Sequence, residues 1–311
     1  MRHERAQYKK KRRKLRWRGI FLILFLLVGG AGVHSYFQFK AGEAESIKDS
    51  GVQRETYEFN GKKDDTGTTN ILLLGSDARG DEPSRADTIM IAHYNRDKGT
   101  YKLTSIMRDS YVTIPGKGKN KINTAFSGGP ELVRQTIKEN FDVDLQYYAI
   151  VDFQGFVRLI DAALPGGVEI DVEKRMSEYI DVTLEPGVQK LDGTHLLAYV
   201  RFRHDAVGDF GRVERQQKVM KEVGNQLASI QTIPKLPKLL GVVSPFINTN
   251  MDKTDMLFIG RGFLSEENRA LDTIRIPVDG SFANQRVRGI GDVLAIDLDQ
   301  NRTALNEFIA K

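Results

Sequence analysis

The chain has 311 residues, 40% of them apolar, no cysteine and a formal charge of +5, which suits one or two folded domains and excludes disulfide frameworks and thiolate chemistry. The positive charge is local: residues 1–18 hold ten Lys/Arg against one Glu, about +9, so residues 19–311 sum to about −4. A slightly acidic body argues against DNA or RNA as a partner.

The basic head runs directly into the apolar stretch Gly19–Val33, followed by Tyr36, Phe37 and Phe39. Residues 19–39 are long enough to cross a bilayer as one helix, with aromatics at the far interface. Basic residues stay on the cytoplasmic side, so the expectation is a single-pass type II anchor in the cell membrane with the remainder outside. Small residues at 29–32 admit a cleaved signal peptide as the competing reading, which the long basic head and the aromatic trailing edge disfavour. Residues 40–68 are polar and charged and read as a stalk with little order of its own.

From Thr69 the pattern changes. Asn70–Gly75 is a short continuous apolar run, Asp87–Tyr94 and Tyr101–Met107 are strand-like, and Asn95–Gly99 joins the last two as a turn. Helical runs at 129–140 and 152–163 flank a strand at Tyr147–Val151, and Leu164–Val172 turns into another strand. Helices near 235–247 and 253–263, a strand at Leu271–Val278 and a helix near 300–311 complete the chain. The expected fold is α/β, a three-layer α-β-α sandwich with a central mixed sheet, in one domain over 69–311 because no linker divides it.

The stretch richest in chemistry is Ala198–Gln217. Its first six residues alternate β-formers with arginines, which predicts a strand with Arg201 and Arg203 on one face and Val200 and Phe202 toward the core. A turn through Gly208–Gly211 then leads into a helix to about Ser229, on which Arg212 and Gln216 lie one turn apart and Arg215 flanks them. Asp209 sits at the turn, placed to hold a metal, cap the helix or pair with an arginine. Several planar guanidinium forks beside a carboxylate suit a ligand with several phosphate charges.

Three further clusters fall at strand ends: Gly75-Ser-Asp77-Ala-Arg79, Arg85-Ala-Asp87-Thr88, and Ser105-Ile-Met-Arg108-Asp109 with Lys121-Ile-Asn123 after it. In an antiparallel pair the first two become neighbours, bringing Asp77 and Asp87 close enough to share a hard cation, Mg²⁺ or Mn²⁺. The five histidines, at 3, 34, 93, 195 and 204, lack zinc-site spacing, and no Gly-x-Ser-x-Gly elbow, Walker loop or Rossmann fingerprint is present.

Taken in order, Asn70–Arg79, Arg85–Thr88, Ser105–Asp109, Lys121–Asn123, Val151–Phe156, Leu191-Asp-Gly, Ala198–Arg203, Gly208–Arg212 and Arg215–Gln217 resemble the LytR-CpsA-Psr family, closely over about residues 69–230. Met107 stands where a proline is common, Ala86 where a serine or threonine is, and Thr124 where an alanine is. The resemblance implies a membrane-anchored extracytoplasmic phosphotransferase. Such an enzyme moves an anionic glycopolymer, of wall teichoic acid or capsular type, from an undecaprenyl-pyrophosphate carrier to the 6-hydroxyl of N-acetylmuramic acid in peptidoglycan. Carried over by position, Asp77 and Asp87 would hold the metal, and Arg85, Arg108, Arg201, Arg203, Arg212 and Gln216 would grip the pyrophosphate. Asp209 would act on the metal side or as general base.

The residue chemistry agrees independently, because pyrophosphate cleavage develops charge on oxygens that arginines and a divalent cation stabilise without covalent participation. Three rivals keep the same residues: a pyrophosphate hydrolase, a carrier-binding protein without turnover, and a non-catalytic membrane regulator, the last disfavoured by the absence of a helix-turn-helix pattern.

Overall fold

The computed structural model describes residues 33–44, 56–62, 68–76, 85–229, 235–265 and 271–311. In chain order the strands are β1 (Thr68–Ser76), β2 (Ala86–Asn95), β3 (Thr100–Ile106), β4 (Ser110–Ile114), β5 (Gly118–Lys121), β6 (Tyr147–Asp152), β7 (Val168–Val172), β8 (Gly187–Leu191), β9 (Asn248–Thr249), β10 (Leu271–Ile276), β11 (Phe282–Val287) and β12 (Gly291–Ile296). The helices are α1 (33–44), α2 (Gly129–Phe141), α3 (Phe153–Ala163), α4 (Gly193–Arg201), α5 (Gly208–Ser229), α6 (Leu236–Val243), α7 (Lys253–Ser265) and α8 (Leu298–Ala310).

A central mixed sheet runs in the order β10-β3-β2-β1-β6-β9. β1 pairs antiparallel with β2 and parallel with β6, and β10 is parallel to β3. Leu72 and Leu74 register with Ile91 and Ile89, and this face meets Val133, Ile137 and Phe141 of α2 and Leu305 of α8 in one core. Full burial of each such aliphatic side chain stabilises the fold by roughly 1.5–3 kcal/mol. Helices also cover the opposite face: Gln217 of α5 donates to Ser105 Oγ at 3.0 Å, and Phe263 of α7 sets its edge on Tyr101 at 5.0 Å.

The sequence suggests one sheet, but three are present among the described residues. β11-β12-β4-β5 form a second sheet beside the end of β3, and β7-β8 form a ribbon packed on α3, α4 and α5. A longer correction concerns Ala198–Arg203, which is not a strand. Asp192 caps α4 by accepting from His195 N at 2.9 Å, and Leu196, Tyr199 and Val200 fall at helical spacing and are buried. Tertiary burial of that stripe outweighs the local β propensity. The chain becomes extended only at Phe202 (φ −59°, ψ 131°), so Arg201 ends a helix and Arg203 begins the loop after it.

The expected basic tail and most of the expected membrane span lie outside the described residues. Among the described residues no helix is long and apolar enough to cross a membrane. Phe39, expected as an interface anchor, is buried instead, with Lys253 Nζ 4.2 Å above its ring. Gly42 and Gly241 let α1 and α6 approach closely, since a Cβ on Gly42 would collide with the Lys238 carbonyl. The segment expected to be a loose stalk is also partly docked: Asn60 N donates to Glu131 at 2.9 Å, Lys62 N to Leu145 O at 2.9 Å, and Tyr57 and Phe59 pack on the main core.

Candidate active site

The site forms where the ends of β2 and β3 meet the first turn of α5. The antiparallel register sets Ser76 opposite Ala86 and Gly75 opposite Thr88, so the clusters around Gly75 and Asp87 do lie at one end of the sheet. Asp77 and Arg79 themselves lie outside the described residues. Arg108, two residues past β3, donates Nη1 to Asp87 Oδ1 at 2.5 Å and Nε to Asp209 Oδ2 at 3.2 Å. Arg212, one turn along α5, donates Nη2 to the same Oδ2 at 2.7 Å. Asp109 closes the row, 2.7 Å from Lys121 Nζ.

The two central arginines differ in their surroundings. Burial alone would lower the Arg108 pKa, but the charges of Asp209 and Asp87 outweigh it and hold that guanidinium above its ordinary value. Arg212 is 5% exposed, and its burial, only partly offset by Asp209 and reinforced by the fields of Arg108 and Arg203, pushes it down to about 10. Its Nε is buried with no hydrogen-bond partner among the described residues. A desolvated cation with an idle donor is an electrostatic demand for an anion.

The other predicted residues distribute around this pair. Gln216 faces the site and donates to Thr88 Oγ1 at 2.9 Å. Arg85 and Arg203 are exposed and make no hydrogen bond or ion pair among the described residues, and Arg203 is close enough to Arg212 to lower its pKa. Arg201, expected beside Arg203, instead stacks over Phe153 with its guanidinium 4.6 Å from the ring centroid.

Arg215 belongs to the scaffold. It is 3% exposed, donates to Phe202 O at 2.6 Å and pairs with Asp205 at 3.2 Å and Glu173 at 3.4 Å, which pins the 202–207 loop carrying Arg203. In the sequence Arg215 only flanks Arg212 and Gln216 and stands outside the set that the resemblance assigns to the pyrophosphate. The partners Glu173 and Asp205 were missed entirely, and their only signal is the negative charge a buried arginine requires.

A cleft of about 420 Å³ opens beside the carboxylates, lined by Met107, Asp109, Asp209, Phe210 and Leu294 among others. As to a metal, Asp87 and Asp209 offer oxygen donors only, which fits a hard divalent cation in kind. Among the described residues no group of three acidic, His or Cys side chains is close enough to hold one; Asp77, the other expected ligand, lies outside the described residues.

A profile of the LytR_cpsA_psr family matches residues 33–307. The regulatory protein MsrR of Staphylococcus aureus is 38% identical over 281 residues, 89% of this chain and 84% of that protein. The polyisoprenyl-teichoic acid–peptidoglycan teichoic acid transferase TagU of Oceanobacillus iheyensis is 32% identical over 316 residues, 97% of this chain and 95% of that protein. Among solved structures, Bacillus subtilis TagV superposes with a TM-score of 0.68 at 26% identity, over 79% of this chain and 98% of that one. TagT bound to LIIa-WTA superposes at 0.64 and 25% identity, over 84% and 96%. With a family match across most of its length and the arginine–carboxylate site in place, the chain belongs to the LytR_cpsA_psr family.

Proposed function

We propose that the protein is a phosphotransferase that moves an anionic glycopolymer from an undecaprenyl-pyrophosphate carrier onto a peptidoglycan hydroxyl, the 6-hydroxyl of N-acetylmuramic acid, working as a type II membrane protein with its domain outside the cell. The observation that carries this reading is Arg212, buried, cationic and with an idle Nε, beside Arg108 clamped between Asp87 and Asp209. The similarity to TagU, named as a teichoic acid transferase, supports the substrate class.

In this reading the acceptor hydroxyl oxygen attacks the phosphorus on the glycopolymer side. The bond from that phosphorus to the bridging oxygen breaks, and polyprenyl monophosphate leaves with the bridging oxygen. Arg212, Arg108 and the exposed Arg203 and Arg85 bind the charged oxygens of the pyrophosphate. Asp209, fixed by two guanidinium groups, accepts the hydroxyl proton. Gln216 holds Thr88 at the floor of the site. Asp87 with Asp77 would hold Mg²⁺ or Mn²⁺, which supplies positive charge to the phosphate oxygens when bound.

The test uses the full chain in lipid nanodiscs with a synthetic polyprenyl-pyrophosphate disaccharide, peptidoglycan oligomers and Mg²⁺, compared with Arg203→Ala. A phosphodiester-linked product that depends on acceptor and Arg203 is the expected result. Polyprenyl phosphate release without a linked product would make the protein a hydrolase. Carrier binding without turnover would favour the non-catalytic role that the name of its relative MsrR suggests.

A further inference from the structure

The cleft beside Asp209 is built unlike the arginine site it adjoins. Its floor is apolar: Met107, Val293 and Leu294 are buried, and Met107 and Leu294 share a small core with Phe210 and Phe282. Phe210 and Phe282 stack at 5.3 Å between centroids, and Arg275 covers Phe210 at 4.6 Å, so the aromatic wall is held in place. The rim is different in character. Asn284 and Gln285, exposed and consecutive on β11, border the opening. Asp109, Asp209 and Asp292 supply three carboxylates to the lining, the last paired with Arg286 at 3.5 Å.

The lining offers a phosphate no unpaired cation, since its one arginine, Arg286, pairs with Asp292, so the pyrophosphate belongs on the arginine side of Asp209 and something else belongs here. A long alkenyl chain would strand the amides and carboxylates against hydrocarbon. A pyranose meets each feature: its axial C–H face packs on the apolar floor, its hydroxyls and acetamido group bond to amides and carboxylates, and the volume falls within the roughly 300–1,000 Å³ usual for ligand clefts. Asp209 lines both compartments, which sets a sugar hydroxyl in this cleft beside the carboxylate placed to deprotonate it.

We infer that this cleft is the acceptor subsite, a seat for an uncharged N-acetylhexosamine ring, with Asn284 and Gln285 as specificity residues supplied by the β11–β12 hairpin. The inference rests on the transferase reading for its role in the reaction, but it is tested by binding alone.

The experiment measures binding of a β-1,4-linked N-acetylhexosamine tetrasaccharide to the full chain in nanodiscs, by calorimetry or saturation-transfer NMR. The wild type is expected to bind it saturably, Asn284→Ala with Gln285→Ala to weaken binding at least tenfold, and Leu294→Trp, which fills the floor, to abolish it. Affinity for a short-chain polyprenyl pyrophosphate should change less than twofold in the double variant. Asn284 and Gln285 are exposed, so their removal leaves the core intact and keeps the test decisive if Leu294→Trp fails to fold. No saturable binding to the wild type, equal binding to the double variant, or a matching loss of carrier affinity, which would mark a lipid slot, each overturns the inference. Oligosaccharide binding without any phosphodiester product would instead sink the transferase reading and leave the sugar seat standing.

Discussion

Arg108 and Asp87 are joined at 2.5 Å across the ends of β3 and β2, and the same guanidinium reaches Asp209 from a helix 101 residues further on. One side chain therefore holds the two carboxylates of the site at a fixed separation. Arg108→Gln leaves both without their shared counter-charge and removes a cation that the proposed mechanism sets on the phosphate. Turnover with a pyrophosphate-linked substrate should fall by about 10²–10³-fold, read as kcat/KM. A loss below fivefold would show that Arg108 only ties the strands together.

Arg212 is a cation that burial disfavours, and a binding site that waits for an anion is expected to cost stability when empty. Arg212→Met keeps the volume and removes the buried charge. In urea unfolding the unliganded variant should stay within about 1 kcal/mol of the wild type, because the desolvation of Arg212 is relieved while Asp209 loses one of its two partners, whereas inorganic pyrophosphate, which should raise the wild-type melting temperature, no longer does so. Equal stabilisation of both proteins by pyrophosphate would place its site elsewhere.

Gln216 and Gln217 are neighbours with different duties. Gln216 reaches Thr88 at the site, whereas Gln217 donates to Ser105 Oγ and to Ile274 O at 3.0 and 3.1 Å, tying α5 to the sheet. Gln217→Ala should cost about 1–2 kcal/mol by stranding buried acceptors, with kcat/KM nearly unchanged in the folded protein. Gln216→Ala should reverse the pattern, lowering kcat/KM by about tenfold with a much smaller loss of stability. Thermal melts and steady-state kinetics on the pair separate the two roles.

Glu131 fastens the segment at 56–62 to α2. Burial pushes its carboxyl up, but hydrogen bonds from Arg134, Asn60 N and Gln135 prevail and hold it at about 2. A carboxylate depressed in the folded state contributes stability that is complete above its unfolded pKa of about 4.5 and is lost as pH falls toward 2. Wild-type stability should therefore drop by about 2–3 kcal/mol across that window beyond the loss seen in Glu131→Gln. Superimposable pH profiles for the two proteins would show that the anchor does not depend on this charge.

The sequence by itself determined the strands whose apolar periodicity is continuous, such as Asn70–Gly75 and Tyr147–Val151. It also determined the helices with clear amphipathic spacing, and the residue types of the site. Those features are local, and their signals lie within a few residues of one another. Only the tertiary structure decided which arginines border the carboxylate cluster and which brace the scaffold. Arg201 turned from a strand into a helix end stacked on Phe153 because Leu196, Tyr199 and Val200 are drawn into a core shared with β7 and β8. Arg215 became a strut because Glu173 and Asp205 approach it from distant parts of the chain, while Arg212 received one carboxylate and an idle donor. The cleft beside Asp209 draws its rim from a hairpin more than 70 residues downstream. Contacts between distant segments are set by packing, and the energy that orders them comes from burial and charge pairing that no short stretch of sequence contains.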